Sequence, residues 1–280
     1  MKQLKNIIFF SCFLFLTGCL STQHTLHQAT KQGFQLKTYS IDSSFTLTTY
    51  EKHQADANSI HVYIEGDGHS WQSRYKLSSN PTPKNPLALK LARLDPHPHV
   101  VYLARPCQYT PFEKDLMCQP KYWSSHRFSP EVIEAMDDVL DQIKRQAPSK
   151  PFILIGYSGG GGIAALLSAK RSDVVGLVTL AGDLDHQRLS EYHQTQPNSH
   201  SLNPVTVAPL LKKVPQLHVS GEKDTLVPPW VAKDFARAVN HASTVKTKIL
   251  PNVTHQKGWE KYWAKEGLAF LGMTNKSDLT

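Results

Sequence analysis

Eight short runs along the chain are rich in aliphatic, β-branched and aromatic residues, and Gly, Pro and Asp punctuate the stretches between them. "QLKTYS" and "FTLTTYE" alternate apolar and polar positions on either side of Asp42-Ser43-Ser44, the pattern of an antiparallel hairpin. The later runs, "IHVYIEGDG", "HVVYLARP", "PFILIGYS", "VVGLVTLAG", "PQLHVSGEKD" and "TVKTKILPN", are short, β-rich and end in Gly, Pro or Asp. Between them, apolar residues at helical spacing predict helices over Pro86–Leu94, Pro130–Gln146, Gly160–Arg171, Pro229–Asn240 and Gly258–Leu271. Strands alternating with helices of this length predict an α/β fold: a mostly parallel eight-stranded sheet with helices on both faces. No internal repeat or low-complexity stretch interrupts the pattern.

The N-terminus departs from this pattern. Met1, Lys2 and Lys5 precede an apolar run from Ile7 to Leu16, far short of the ~20 residues that span a bilayer, which fits a secretory signal. Leu16-Thr17-Gly18-Cys19 resembles the lipobox of bacterial lipoproteins. The resemblance implies cleavage after Gly18 and lipidation of Cys19, and Leu20 in place of Asp implies an outer-membrane anchor facing the periplasm. A plain signal peptide with an incidental cysteine is the alternative. Residues 20–33 are polar and aperiodic, so residues 19–33 are expected to tether the lipid to a folded domain over 34–280.

Composition adds bounds. Apolar residues at 40% can build a sizeable core. The net charge of +8 falls to +6 when Lys2 and Lys5 leave with the signal, and no basic run exceeds two residues. Scattered charge of this kind is not a nucleic-acid footprint. Beyond Cys12 and Cys19, only Cys107 and Cys118 remain, an even pair in an exported chain, which argues for a disulfide; two free thiols are the alternative.

The densest chemical signal is "ILIGYSGGGG", residues 153–162. Gly156-Tyr157-Ser158-Gly159-Gly160 fits G-x-S-x-G between a buried strand and a helix, the strained turn that lifts a nucleophilic serine above a sheet. A serine hydroxyl needs a base, and the base an orienting carboxylate. Asp224 follows the strand in "PQLHVSGEKD", and His255 follows the strand in "TVKTKILPN". Both fall in loops at the carboxyl edge of the sheet, where open α/β sheets bind ligands. Asp183 and Asp185, after the preceding strand, are rival acids. For the developing oxyanion, the N–H of Gly159 is one expected donor and the N–H of Asp67, in "IEGDGHSW", the second; a simple tight turn is the other reading of that loop.

With these residues in view, the chain resembles the α/β-hydrolase fold superfamily, in particular exported lipoprotein hydrolases of proteobacteria. "GYSGGG", "GEKDTLVPP" and "THQKGW" carry the resemblance over about residues 34–272, joined by "ARPCQY", "YWSSHRF" and "LDHQRLSEYH" followed by "SLNP". It implies a serine hydrolase working through an acyl-enzyme on a small-molecule ester, with no metal and no diffusible cofactor. Esterases, lipases, peptidases and non-catalytic binders share such a scaffold, so a peptidase or a ligand-binding lipoprotein stays open.

Segments that would shape the pocket are less informative. Asp183 to Asn203 is expected to be a small polar cap loop, and its His186, His193 and His200 lack the tight pairing a metal site wants. Tyr109, Phe112, Tyr122 and Trp123 surround the cysteine pair and either line a pocket or pack their own loop. Trp71 and Tyr75, just past the Asp67 loop, either wall the site or pin a surface loop.

Overall fold

The computed structural model describes residues 22–41, 45–54, 57–111, 115–240 and 243–274. Residues 1–18, Cys19 and Phe112 lie outside them.

The eight expected strands form one sheet: β1 (Gln35–Ser40), β2 (Thr46–Lys52), β3 (Ile60–Ile64), β6 (Val100–Leu103), β7 (Phe152–Tyr157), β8 (Val174–Leu180), β9 (Gln216–Gly221) and β10 (Val245–Leu250). Their spatial order is β1-β2-β6-β3-β7-β8-β9-β10. β2 runs antiparallel to β1 and β6, and the remaining pairs are parallel. From β3 the chain crosses to β6 on one side and then to β7 on the other. That reversal opens a crevice at the carboxyl ends of β3 and β7.

Helices cover the sheet where the apolar spacing predicts. α2 (Leu87–Ala92), α3 (Pro130–Gln146), α4 (Gly159–Lys170) and α6 (Trp230–Val239) agree with expectation to within two residues at each end. α3 shows why: Val132, Ile133, Met136, Val139, Leu140 and Ile143 make one buried stripe, and Pro130 opens the helix where its missing N–H costs nothing. The last predicted helix is broken into α7 (Trp259–Tyr262), a π turn over Trp263–Gly267, and α8 (Leu268–Thr274). Gly267 lies against the Trp263 ring, where a Cβ would collide with it.

Three elements differ from expectation. Residues 22–31, predicted as part of a tether, form a helix, α1. Polar spacing hides the few contacts that hold it: Ala29 and Phe34 are buried, and the Thr22 hydroxyl donates to the carbonyls of Pro83 (3.0 Å) and Lys84 (2.9 Å). The cap segment is not all loop, because α5 (His186–His193) forms within it. Asp185 caps that helix by accepting from the Arg188 N–H at 3.2 Å, while Leu189 and Ser190 turn inward. A separate two-stranded hairpin, β4 (Trp71–Ser73) with β5 (Lys76–Leu77), follows the Asp67 loop.

Candidate active site

β7 ends in the glycine-fenced serine. Ser158 adopts φ 52° and ψ −123°, a conformation that costs a non-glycine residue about 1–3 kcal/mol and is held by its surroundings. Its N–H donates to the Leu180 carbonyl and its own carbonyl accepts from the N–H groups of Gly161 and Asp183, all at 2.9 Å. The glycines answer a packing demand. A Cβ on Gly156 would strike the backbone of Gly160, and one on Gly160 would strike the carbonyls of Ile64 and Glu65. Strand β7, helix α4 and the loop after β3 thus meet backbone to backbone at this turn.

The other two predicted residues arrive from the loops after β9 and β10, farther along the sheet. His255 Nε2 lies 3.0 Å from Ser158 Oγ, and His255 Nδ1 lies 2.8 Å from Asp224 Oδ2. With Nδ1–H donated to the carboxylate, Nε2 keeps its lone pair for the serine proton. The second Asp224 oxygen accepts the N–H groups of Leu226 and Val227, each at 2.9 Å, so the carboxylate is fully engaged and its side chain is buried. The His255 loop is pinned from behind: the Tyr157 hydroxyl and the Trp259 indole both donate to the His255 carbonyl at 2.9 Å. The rival acids serve elsewhere. Asp183 pairs with Arg127, and Asp185 caps α5 and accepts from Asn203 at 2.8 Å.

The loop after β3 packs directly on the serine turn, where a Cβ on Gly66 would sit 3.2 Å from Ser158 Cβ. Both acidic side chains of Glu65-Gly66-Asp67 are held by partners, and the Asp67 carboxylate lies against Gly159, where a Cβ would meet its Oδ1. Glu65 is buried, accepts the Gly66 N–H at 2.9 Å and the Tyr102 hydroxyl at 3.2 Å, and has its pKa pushed up to about 7 by burial. Burial alone would raise Asp67 too, yet Arg127 and Arg105 hold its carboxyl below the ordinary value. Arg105 Nη1 donates to Asp67 Oδ1 at 3.0 Å, and Arg127 donates to both Asp67 and Asp183. Among the described residues the Asp67 N–H has no acceptor. Beside it, the Gly159 N–H opens α4 and has no helical partner.

Arg105 and Arg127 are participants that motif reasoning on the triad passed over. Their only sequence signal is their place in "ARPCQY" and "YWSSHRF", which match by resemblance without an assigned role.

Cys107 and Cys118 are bonded, with Cα atoms 5.3 Å apart. Their loop touches the site through Gln108, whose Nε2 donates to the Gly66 carbonyl at 3.0 Å. Tyr122 and Trp123 are buried packing residues: Tyr122 meets Phe45 edge to face and the Trp123 indole donates to the Ser78 carbonyl. Tyr109 is partly buried behind the crevice, its hydroxyl accepting from Tyr102 at 3.3 Å. Trp71 and Tyr75 instead project into solvent, 49% and 86% exposed. His186, His193 and His200 are dispersed onto Leu202, Leu226 and the His126 ring. Among the described residues no group of three or more His, Cys, Asp or Glu is arranged to hold a metal ion.

These features define an α/β-hydrolase by fold. A family model described as serine hydrolase (FSH1) matches residues 118–251, a span that includes Ser158 and Asp224 and stops short of His255. Among solved structures, the chain is similar to Est1E from Butyrivibrio proteoclasticus, at 14% identity, 86% of this chain, 99% of that chain and TM-score 0.61. It is also similar to a membrane phospholipase A described as a bacterial virulence factor (14% identity, 98% and 97% covered, TM-score 0.56). A third neighbour is the Pyrococcus horikoshii acylaminoacyl peptidase (12% identity, 89% and 43% covered, TM-score 0.61). No curated protein matches the chain. Neighbours so different in substrate fix the fold and leave the substrate to the site.

Proposed function

We propose that the protein is a serine hydrolase that cleaves small-molecule carboxylic esters through an acyl-enzyme. The observation that carries this reading is the continuous hydrogen-bond chain from Asp224 through His255 to Ser158. Ser158 Oγ attacks the ester carbonyl carbon as its proton passes to His255 Nε2, and Asp224 stabilises the imidazolium that forms. The carbonyl oxygen becomes an oxyanion received by the N–H groups of Gly159 and Asp67. Collapse breaks the carbon–oxygen bond to the alcohol, which leaves with the proton from His255. Water then attacks the acyl-enzyme with His255 again as base, releasing the acid and restoring Ser158.

The Asp67 carboxylate lies beside Gly159 and is paired with two arginines. Its negative charge is offset by Arg105 and Arg127, which limits its repulsion of an oxyanion formed nearby. By the lipobox resemblance, the mature chain begins at a lipidated Cys19 and works at the periplasmic face of the outer membrane.

A fluorophosphonate probe tests the reading. The full chain should label covalently, Ser158→Ala should abolish labelling, and His255→Ala should slow it by orders of magnitude. An unlabelled, folded protein would instead support a ligand-binding lipoprotein on the same scaffold.

A further inference from the structure

The β4–β5 hairpin is built to touch something outside the protein. It follows the Asp67 loop, and its base is rigid: Ser78 N–H donates to the Ser70 carbonyl at 2.8 Å, His69 N–H to the Pro81 carbonyl at 2.9 Å, and the Trp123 indole to the Ser78 carbonyl at 3.1 Å. Above that base, Leu77 is partly buried against the core. Every residue from 71 to 76 is exposed, Tyr75 at 86% and Trp71 at 49%. Trp71 and Leu77 are directly paired across the two strands and so share one face, while Tyr75 stands at the turn. An isolated two-stranded hairpin is marginal in water, and exposing its large apolar residues does not help it fold.

The charges narrow the partner. Arg74 and Lys76 flank Tyr75, with the Arg74 guanidinium 5.7 Å from the ring centroid, and Lys84 lies close enough to depress the His69 pKa, after burial. None of these three cations has an ion-pair partner among the described residues. From Gly68 to Leu94 the sequence has no Asp or Glu. Trp and Tyr with an apolar body and a polar edge, beside unpaired cations, match the headgroup level of an anionic bilayer. A stable protein interface wants roughly 20–30 residues a side, whereas seven residues on a projecting tip suffice to insert two rings.

We propose that the Trp71–Leu77 hairpin docks the protein onto anionic lipid, with Trp71 and Tyr75 in the headgroup layer and Arg74, Lys76 and Lys84 against phosphate. The Ser70 hydroxyl donates to the Asp67 carbonyl, so the docking hairpin is joined directly to the loop beside the serine turn. Any preference for esters partitioned in the bilayer rests on the hydrolase reading; the docking itself does not.

Tryptophan fluorescence of the full chain tests it with no turnover required. Trp123, Trp259 and Trp263 are buried and Trp230 is half-buried, so the emission lost in Trp71→Phe, read with Trp230→Phe as a background, isolates the hairpin. Phosphatidylglycerol vesicles with brominated chains should quench and blue-shift that component, phosphatidylcholine vesicles should do so weakly, and added salt should reverse the effect. Arg74→Glu with Lys76→Glu should weaken the vesicle response more than tenfold, at about 1 kcal/mol per cation lost and more for reversal. Retained fluorophosphonate labelling, or an unchanged unfolding midpoint if the hydrolase reading fails, shows that these variants fold. Vesicle attachment without quenching of Trp71 overturns the proposal, because an anchor elsewhere then does all the binding. Equal quenching by neutral vesicles overturns it as well, and so does a Trp71 response to soluble envelope proteins but not to phosphatidylglycerol.

Discussion

Arg127 donates to the carboxylate of Asp67, and this pair lies directly behind the turn that carries Ser158. The same guanidinium reaches Asp183, whose backbone N–H donates to the Ser158 carbonyl. One half-buried cation therefore ties the loop after β3 to the loop after β8, with the serine turn between them. Removing it would leave the buried Asp183 carboxylate without its cation and Asp67 with Arg105 alone, which costs up to about 3–5 kcal/mol. Arg127→Met should lose stability of that order in urea unfolding and turn over slowly even when folded. An unchanged unfolding midpoint would show that the bridge contributes nothing.

The identity of the acid can be tested by comparing neutral isosteres. Asp224→Asn should lower turnover by up to ~10⁴-fold, because it removes both the tautomer control and the charge behind the imidazolium. Asp183→Asn should act mainly on stability, since Asp183 faces Arg127 and not His255. The measurement is hydrolysis of a chromogenic ester by both variants, each with its unfolding curve. Turnover crippled in Asp183→Asn and spared in Asp224→Asn would reverse the assignment.

The sheet was legible because its signals are local: continuous apolar runs for β3, β7 and β8, and glycines whose crowding has one structural use beside Ser158. Asp224 and His255 were legible through strand order. The clasp behind the serine was not. Arg105 is 38 residues from Asp67, and Arg127 is 60 from Asp67 and 56 from Asp183, with no spacing rule to join them. Helix α5 was missed for a related reason: Leu189 is its only aliphatic residue, so its start is set by the Asp185 cap and its place by packing.

The disulfide closes a short loop whose next residue, Gln108, supports the Gly66 carbonyl. On the chain-entropy model a loop of this size contributes about 3 kcal/mol. Reduction, or Cys107→Ser with Cys118→Ser, should lower the urea midpoint accordingly and weaken turnover through Gly66. Mass spectrometry without reductant checks the bond itself, and two alkylatable thiols in protein purified without reductant would refute it.

Lipidation at Cys19 is a separate question from the fold. Cys19→Ser should abolish metabolic labelling by a fatty-acid analogue and block maturation. Labelling that persists in this variant would remove the lipoprotein claim.

The far end of the sheet should set the acid limit of stability. His97 and His99 precede β6, and both have their pKa lowered to about 4, first by burial and then by a neighbouring imidazole: His61, stacked 3.8 Å away, for His97, and His53, with Nδ1 atoms 3.1 Å apart, for His99. His218, buried between Thr179 and Gln216, is lowered by burial to about 3. For each, the unfolded chain takes up a proton as pH falls through about 6.5, while the folded chain declines it until a lower pH. Stability contributed by these groups is thus complete above 6.5 and is lost on acidification toward 4. Glu65 opposes them: with its pKa raised from 4.5 to about 7, its proton favours the folded state below 4.5, and that contribution is lost as pH rises through 7. Three histidines against one carboxyl give a net loss on acidification. Calorimetric unfolding midpoints should fall between pH 6.5 and 4.5, less steeply in His97→Gln with His99→Gln, and more steeply in Glu65→Gln. A midpoint that holds constant or rises over that interval would contradict the burial assigned to these groups.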